Sequence, residues 1–278
     1  MPDGVRLSPS ARRASRSGEP RSLGRFAHLA YGVLGAVLVL GLWQAAAASG
    51  RFGSGLPSVL ETLSALAGLL GTAAFWSELG ATIGIAAIGL AVSSVIGVVF
   101  GVLAGRFPLV RSATLAVTEF LKPIPPIVVL PLAVMIWGPT QQMAIFLVIV
   151  GCALAIAIQT IAGVEDVDPV ALSTARSYGI GTAESLWRIV LPSSLPFIGT
   201  AMRIAAPASL VVTVVAGLLG GSPGLGRSIY LAQSAGEVAN MYALVVVLGV
   251  LGVAAQGISS AAERRLLHWH PSFRKTGS

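Results

Sequence analysis

The sequence predicts an all-α polytopic membrane protein with about six transmembrane helices. Three observations predict it: scarcity of charge, long stretches with no charge at all, and a one-sided distribution of lysine and arginine. Of the 278 residues, 55% are hydrophobic and only 10% are charged, and the mean hydropathy is +0.84. A soluble domain carries about 25% charged residues because its surface must be solvated. Lipid rather than water therefore covers most of this chain.

No Asp, Glu, Lys or Arg occurs from Leu79 to Gly105, from Pro123 to Val164, from Ile204 to Gly226, or from Val238 to Ala262. About 20 apolar residues cross a hydrocarbon core, so each run holds at least one crossing. The order of segments follows. Residues 1–26 hold Arg6, Arg12, Arg13, Arg16, Arg21 and Arg25 among Ser, Gly and Pro, the composition of a disordered basic tail. Residues 27–50 form the first helix, whose apolar stretch from Leu29 to Ser49 is long enough to span and is read as uncleaved. Residues 51–78 are an external segment. Residues 79–262 form the transmembrane core, with helices expected over about Leu79–Gly105, Val110–Trp137, Met143–Gly163, Leu195–Leu219 and Tyr242–Ala262. Residues 263–278 are a second basic tail. In the second helix Gly97, Gly101 and Gly105 recur every four residues, which puts small residues on one face where another backbone can approach closely.

With the N-terminus inside, the inner side receives the tail arginines, Arg106, Arg111, Arg176, Arg188, Arg264, Arg265, Arg274 and Lys275. The outer segments then hold only Arg51 and Arg227. Lysine and arginine concentrate on the cytoplasmic side, so both termini and the segment between the fourth and fifth helices are expected there. The net charge of +7 reflects this bias. It lacks the aromatic–basic interleaving of a nucleic-acid surface. Cys152 has no partner cysteine and reads as a packing residue. His28, His268 and His270 have no carboxylate or cysteine beside them and read as membrane-interface groups, not metal ligands.

The charged interruption at 165–192 has explicit local signals. Asp168 can cap a helix beginning at Pro169, and Gly179 can end it in the left-handed conformation. Thr182 can cap a second short helix, with Glu184 in its first turn and Pro192 closing it. The expectation is helix, glycine turn, helix on the inner membrane surface, with Leu172, Ala175 and Gly179 on one face and Ser173 and Arg176 on another.

This spacing resembles the coupling-loop signature of binding-protein-dependent ABC permeases: Glu-Ala-Ala, three residues, Gly, nine residues, then Ile-x-Leu-Pro. Ser173, Thr174 and Ala175 occupy the triplet, Arg176 follows it, Gly179 is the glycine, and Ile189, Leu191 and Pro192 end the motif. Leu56-Pro57-Ser58, the run Leu121–Pro131, Gly224-Leu225-Gly226 and the ending Glu263–Trp269 are similar to the nitrate, taurine and alkanesulfonate branch. Two departures stand out. Ser173 replaces the glutamate of the triplet and Thr174 its first alanine, so docking there relies on packing and hydrogen bonds. Ile85 stands where many members of the branch carry an arginine.

The resemblance implies a type I ABC importer permease in the bacterial plasma membrane, moving a small solute of the nitrate, sulfonate, taurine or related organic-anion kind. It implies two copies of an ABC ATPase that bind ATP and Mg, a second permease copy as a homodimer, and an external solute-binding protein. The chain itself binds no cofactor on this reading. Its lysines, Lys122 and Lys275, lack the glycines of a P-loop, and no catalytic constellation is visible. For the substrate path the candidates are Glu119 and Lys122, one turn apart in an apolar segment, with Pro131 as a kink and Gln159 and Thr213 as polar groups. Self-pairing of Glu119 with Lys122 near the inner interface is the preferred reading of those charges, and lining the path is the sharper alternative. An ATP-independent secondary transporter or channel subunit is the alternative function.

Overall fold

The computed structural model describes residues 25–266; most of both basic tails, with His268 and His270, lies outside the described residues. The chain divides into two units, Met1–Val59 and Leu60–Ser278. In the first, α1 (Arg25–Ala48) is an uninterrupted apolar helix of spanning length. The Trp43 indole N–H donates to the Pro57 carbonyl at 3.0 Å, and the Val59 N–H donates to the Gln44 side-chain oxygen at 3.0 Å. These bonds fold the turn after α1 back onto the end of the helix.

The helix α2 (Val59–Leu70) leads into the second unit. There follow α3 (Ala73–Arg106), α4 (Pro108–Leu121), α5 (Leu130–Trp137), α6 (Gln141–Glu165), α7 (Pro169–Ser177), α8 (Thr182–Ser185), α9 (Leu191–Gly220), α10 (Leu225–Ser234) and α11 (Val238–Leu266). Among the described residues five helical stretches are long and apolar enough to cross a bilayer, or six if α4 and α5 count as one broken span. The helix α3 starts well before the expected Leu79. Its start is set by Thr72, whose hydroxyl caps the Phe75 N–H at 3.3 Å, and not by the last charge.

Glycine spacing builds the centre of this unit. The face of α3 carrying Gly89, Ser93, Gly97, Gly101 and Gly105 lies against α6, and Gly97 faces Ile156, Gly101 faces Thr160 and Gly105 faces Val164. The offset is constant, so the two helices run parallel. Parallel helices need a return crossing between them, and α4 and α5 supply it. Next, α9 closes a three-helix core with α3 and α6 through Val148, Cys152, Ile156, Ala201 and Ala205. Cys152 is buried there.

The return crossing is not one helix, as Val110–Trp137 suggests in the sequence. Pro123, Pro125 and Pro126 remove three N–H donors in four residues, and each disfavours a helical residue before it. The helix α4 stops at Leu121, a short tight turn covers Pro126–Val129, and α5 resumes at 87°. Pro131 is not the kink. It sits in the first turn of α5, where a missing N–H costs nothing.

Sequence reading missed α10. Its first N–H groups have no intrahelical partner, and α3 supplies them: Glu78 accepts from Gly224 N–H, and the Thr82 hydroxyl accepts from Leu225 N–H at 2.8 Å. Both Thr82 and Leu225 are fully buried. Thr82→Val keeps the shape but leaves a buried donor unpaired, so it is expected to cost about 1–3 kcal/mol. The check is the thermal midpoint of the detergent-solubilised protein, and an unchanged midpoint would remove this cap from the account. Finally, α11 extends past Ala262 to Leu266. Its buried Glu263 is held by Arg203 of α9 at 3.6 Å and by the Thr200 hydroxyl at 3.5 Å.

Candidate functional site

The segment between α6 and α9 is built on the ends of α3 and α6. Val102 of α3, Val164 of α6, Val167 and Val190 form a buried cluster, onto which Leu172, Leu186, Ile189 and Leu191 pack. Ala175 is buried as well. Apolar residues at these spacings seat the loop, and the other face is left free: Ser173, Thr174, Arg176 and Gly179 are exposed, as is Pro192. Val170, Tyr178 and Trp187 are large apolar or aromatic residues that stand mostly in the open, with Tyr178 82% exposed. Exposed aromatic groups beside a polar rim have the makeup of a docking surface.

The helix α7 is fixed at both ends. The Asp168 carboxylate accepts the Val170 N–H at 2.8 Å, and Pro169 occupies the first turn. At the other end Gly179 has φ +73°, Gly179 N–H donates to the Arg176 carbonyl and Ile180 N–H to the Ala175 carbonyl, both at 3.0 Å. This pair of bonds is a Schellman closure. The Ser173 hydroxyl donates back to the Pro169 carbonyl at 2.9 Å, so its hydrogen is already used within the helix.

Three details differ from the sequence expectation. Gly179 does not share the seated face of Leu172 and Ala175 but is exposed, because the chain turns left-handed there and leaves the helical repeat. The helix α8 is capped by Gly181 without a side-chain bond, and Thr182 is its first residue. Pro192 does not close α8; it lies in the first turn of α9. Between them Leu186–Val190 winds as a π-turn, in which the Leu191 N–H reaches back to the Leu186 carbonyl. A proline ring clashes with the carbonyl four residues before it, and the wider turn relieves that clash. The loop therefore passes into α9 without a break. Glu184 and Arg188 pair at 3.1 Å along the exposed side.

The proposed path residues are distributed differently. Glu119 and Lys122 are both more than half exposed on α4 and pair at 3.7 Å. They line a cavity of about 240 Å³ between α4 and α6, with Arg111, Thr114, Thr118 and Glu165 among its other walls. Gln159 is half-buried on α6. Thr213 is buried within α9, and its hydroxyl donates to the Ser209 carbonyl at 2.8 Å, so it packs rather than lining an open space here. Ile85 is buried against Leu130, Ala133, Met143 and Ala216. Among the described residues no group of three or more His, Cys, Asp and Glu side chains is placed to hold a metal.

Residues 97–268 match the family model described as binding-protein-dependent transport system inner membrane component. The taurine transport system permease protein TauC of Escherichia coli (strain K12) is 31% identical over 217 residues, covering 76% of this chain and 78% of that one. The putative aliphatic sulfonates transport permease protein SsuC of Bacillus subtilis (strain 168) is 25% identical over 246 residues, covering 87% and 88%. In fold, the chain is similar to a solved bacterial ABC transporter involved in the import of the acidic polysaccharide alginate, with a TM-score of 0.63 at 15% identity over 86% of this chain and 94% of that one. The chain thus belongs to the binding-protein-dependent transport system inner membrane component family, as the multi-pass permease subunit of an ABC importer for a small solute, with ATP hydrolysis carried by a separate ATPase.

Proposed function

We propose that Asp168–Pro192 is the cytoplasmic element through which the ATPase moves this permease. The observation that carries this reading is the construction of α7: capped at Asp168, closed at Gly179, seated by Ala175 and Leu172, and presenting Thr174, Arg176 and Tyr178 outward. Such an element moves as a rigid body when a partner grips its outer face. The π-turn joins it to α9, so a displacement passes directly into a core helix. The triplet contributes no charge at Ser173, and the exposed Tyr178 and Trp187 supply contact area instead.

In the working complex two ATPase subunits bind ATP and Mg and grip the loops of two permease copies, which form a homodimer. An external binding protein delivers the solute. Both termini are cytoplasmic on this reading, which the arginine distribution supports. The cargo is a small organic anion or zwitterion of the sulfonate kind, a reading supported by the names of the taurine and aliphatic-sulfonate relatives. Glu119 and Lys122, with Gln159, line the inward part of the path beside the α4–α6 cavity. Screening ligands against the binding protein encoded alongside the chain tests the cargo.

The coupling role is tested by a single cysteine at Tyr178 in a chain whose buried Cys152 has been replaced by alanine. Tyr178→Cys is expected to react with an impermeant maleimide from the cytoplasmic side only, and to cross-link to the co-expressed ATPase. Labelling from the outside, or the absence of any cross-link in an assembled complex, would overturn the reading.

A further inference from the structure

The helix α4 is the least anchored helix of the second unit's crossings. None of its residues is buried. It hangs between two joints: the elbow at Phe107, a single extended residue between α3 and α4, and the proline break after Leu121. Along its length it faces α6 across the 240 Å³ cavity rather than packing onto it. The cavity is bridged at one end, where the Arg111 guanidinium of α4 pairs with the Glu165 carboxylate. Glu165 is the last residue of α6, and the cap of α7, Asp168, follows almost at once.

We infer that the Arg111–Glu165 ion pair is a strap tying α4, with its Glu119 and Lys122, to the root of the loop at Asp168–Pro192, so that movement of the loop is transmitted to the broken crossing. Stability alone does not account for the pair. Both side chains are substantially exposed, 53% and 37%, and exposed ion pairs contribute little to folding. Its position joins two elements that otherwise share few buried contacts: a rigid loop root and a helix hinged at both ends. Arg111 and Glu165 are therefore positioning residues, and they act by keeping α4 in step with α6 and α7. The inference rests on the coupling role proposed above.

The test uses the permease–ATPase complex in lipid nanodiscs, with Cys152→Ala as background and Leu115→Cys on α4 as reporter. Leu115 is half-exposed on the cavity wall. The probe is an impermeant maleimide, and its reaction rate is compared between the nucleotide-free complex and the complex trapped with ATP and vanadate. Trapping is expected to change the Leu115→Cys rate by about five-fold or more, the lower range of allosteric coupling. Arg111→Gln and Glu165→Gln should each abolish that change, and the charge reversal Arg111→Glu with Glu165→Arg should restore it. Persistence of the full change in both single variants would overturn the strap. So would failure of the reversal to restore it in complexes that assemble normally. A parallel Tyr178→Cys reporter separates the two levels: if bound ATPase does not protect it, the coupling role fails; if it is protected while α4 responds without the pair, only the strap fails.

Discussion

Gly179→Val is expected to abolish ATP-driven uptake while leaving membrane insertion, assembly with the ATPase and ATP hydrolysis largely intact. The cause is conformational. No atom lies within 4 Å of a Cβ added at Gly179, so the valine meets no wall. Its difficulty is the backbone, which stands at φ +73°. Left-handed geometry costs an L-residue about 1–2 kcal/mol, and a β-branched residue is rarely found there. The chain escapes by releasing the bonds from Gly179 and Ile180 to the carbonyls of Arg176 and Ala175. The last turn of α7 then frays, and a rigid handle becomes a compliant one. A series separates conformation from bulk. Gly179→Asn, which tolerates the left-handed region, should retain most transport; Gly179→Ala should be intermediate and Gly179→Val lowest. The measurement is solute transported per ATP hydrolysed in proteoliposomes. Wild-type coupling in the valine variant would remove the closure of α7 from the mechanism.

Gly101→Leu is expected to have the larger effect on the protein itself, with little folded permease recovered from the membrane. Here the obstacle is space. A Cβ at Gly101 would lie 2.5 Å from the Thr160 Cβ and 2.8 Å from the Ala157 carbonyl oxygen. One contact is with backbone, so no rotamer change relieves it. Overpacking a filled core typically costs about 1–3 kcal/mol per insertion. In lipid the helices gain little from burying apolar surface and depend on close contact, so forcing α3 and α6 apart also removes what held them. Gly84→Leu in the same helix is the control, because nothing lies within 4 Å of its added Cβ. Yield of monodisperse protein and its thermal midpoint should fall for Gly101→Leu and stay near wild type for Gly84→Leu. Equal behaviour of the two would mean that the glycine face is not the contact.

Much of this architecture was legible because lipid imposes a simple rule on sequence. Uncharged runs marked the crossings, and the four-residue repeat at Gly97, Gly101 and Gly105 marked the face that meets α6. Capping chemistry placed α7 from Asp168 and Pro169 to Gly179. What stayed hidden depended on partners distant in sequence. Glu78 looked like the last charge before a helix, yet it lies inside α3 and completes the start of α10 across the bundle. Gly224-Leu225-Gly226 stands out in the sequence only as a likeness to the nitrate, taurine and alkanesulfonate branch, and nothing local indicates that α3 caps the helix that follows. Pro192 read as a terminator because a proline ends a helix with normal turns; the π-turn before it changes that outcome. Pro131 was assigned a bend that the cluster at Pro123, Pro125 and Pro126 makes earlier. The pairing of Arg111 with Glu165 could not be read from spacing, since it requires knowing that α3 and α6 end side by side.

The constant offset between α3 and α6 has a consequence for biogenesis. A ribosome adds about 5–20 residues per second, so the glycine face of α3 leaves the translocation machinery several seconds before its partner is made. During that interval the face is exposed to lipid, with Ser93 and the backbone between the glycines only thinly covered. The chain inserted meanwhile is α4 and α5, the segment with the most prolines, in which only Leu130 and Ala133 are buried. A weakly packed crossing at that moment leaves the α3 face open for α6 instead of capturing it early. Ribosome-release experiments that halt synthesis before and after Glu165 would time the closure, since protease resistance of the α3 region should appear only once α6 has emerged.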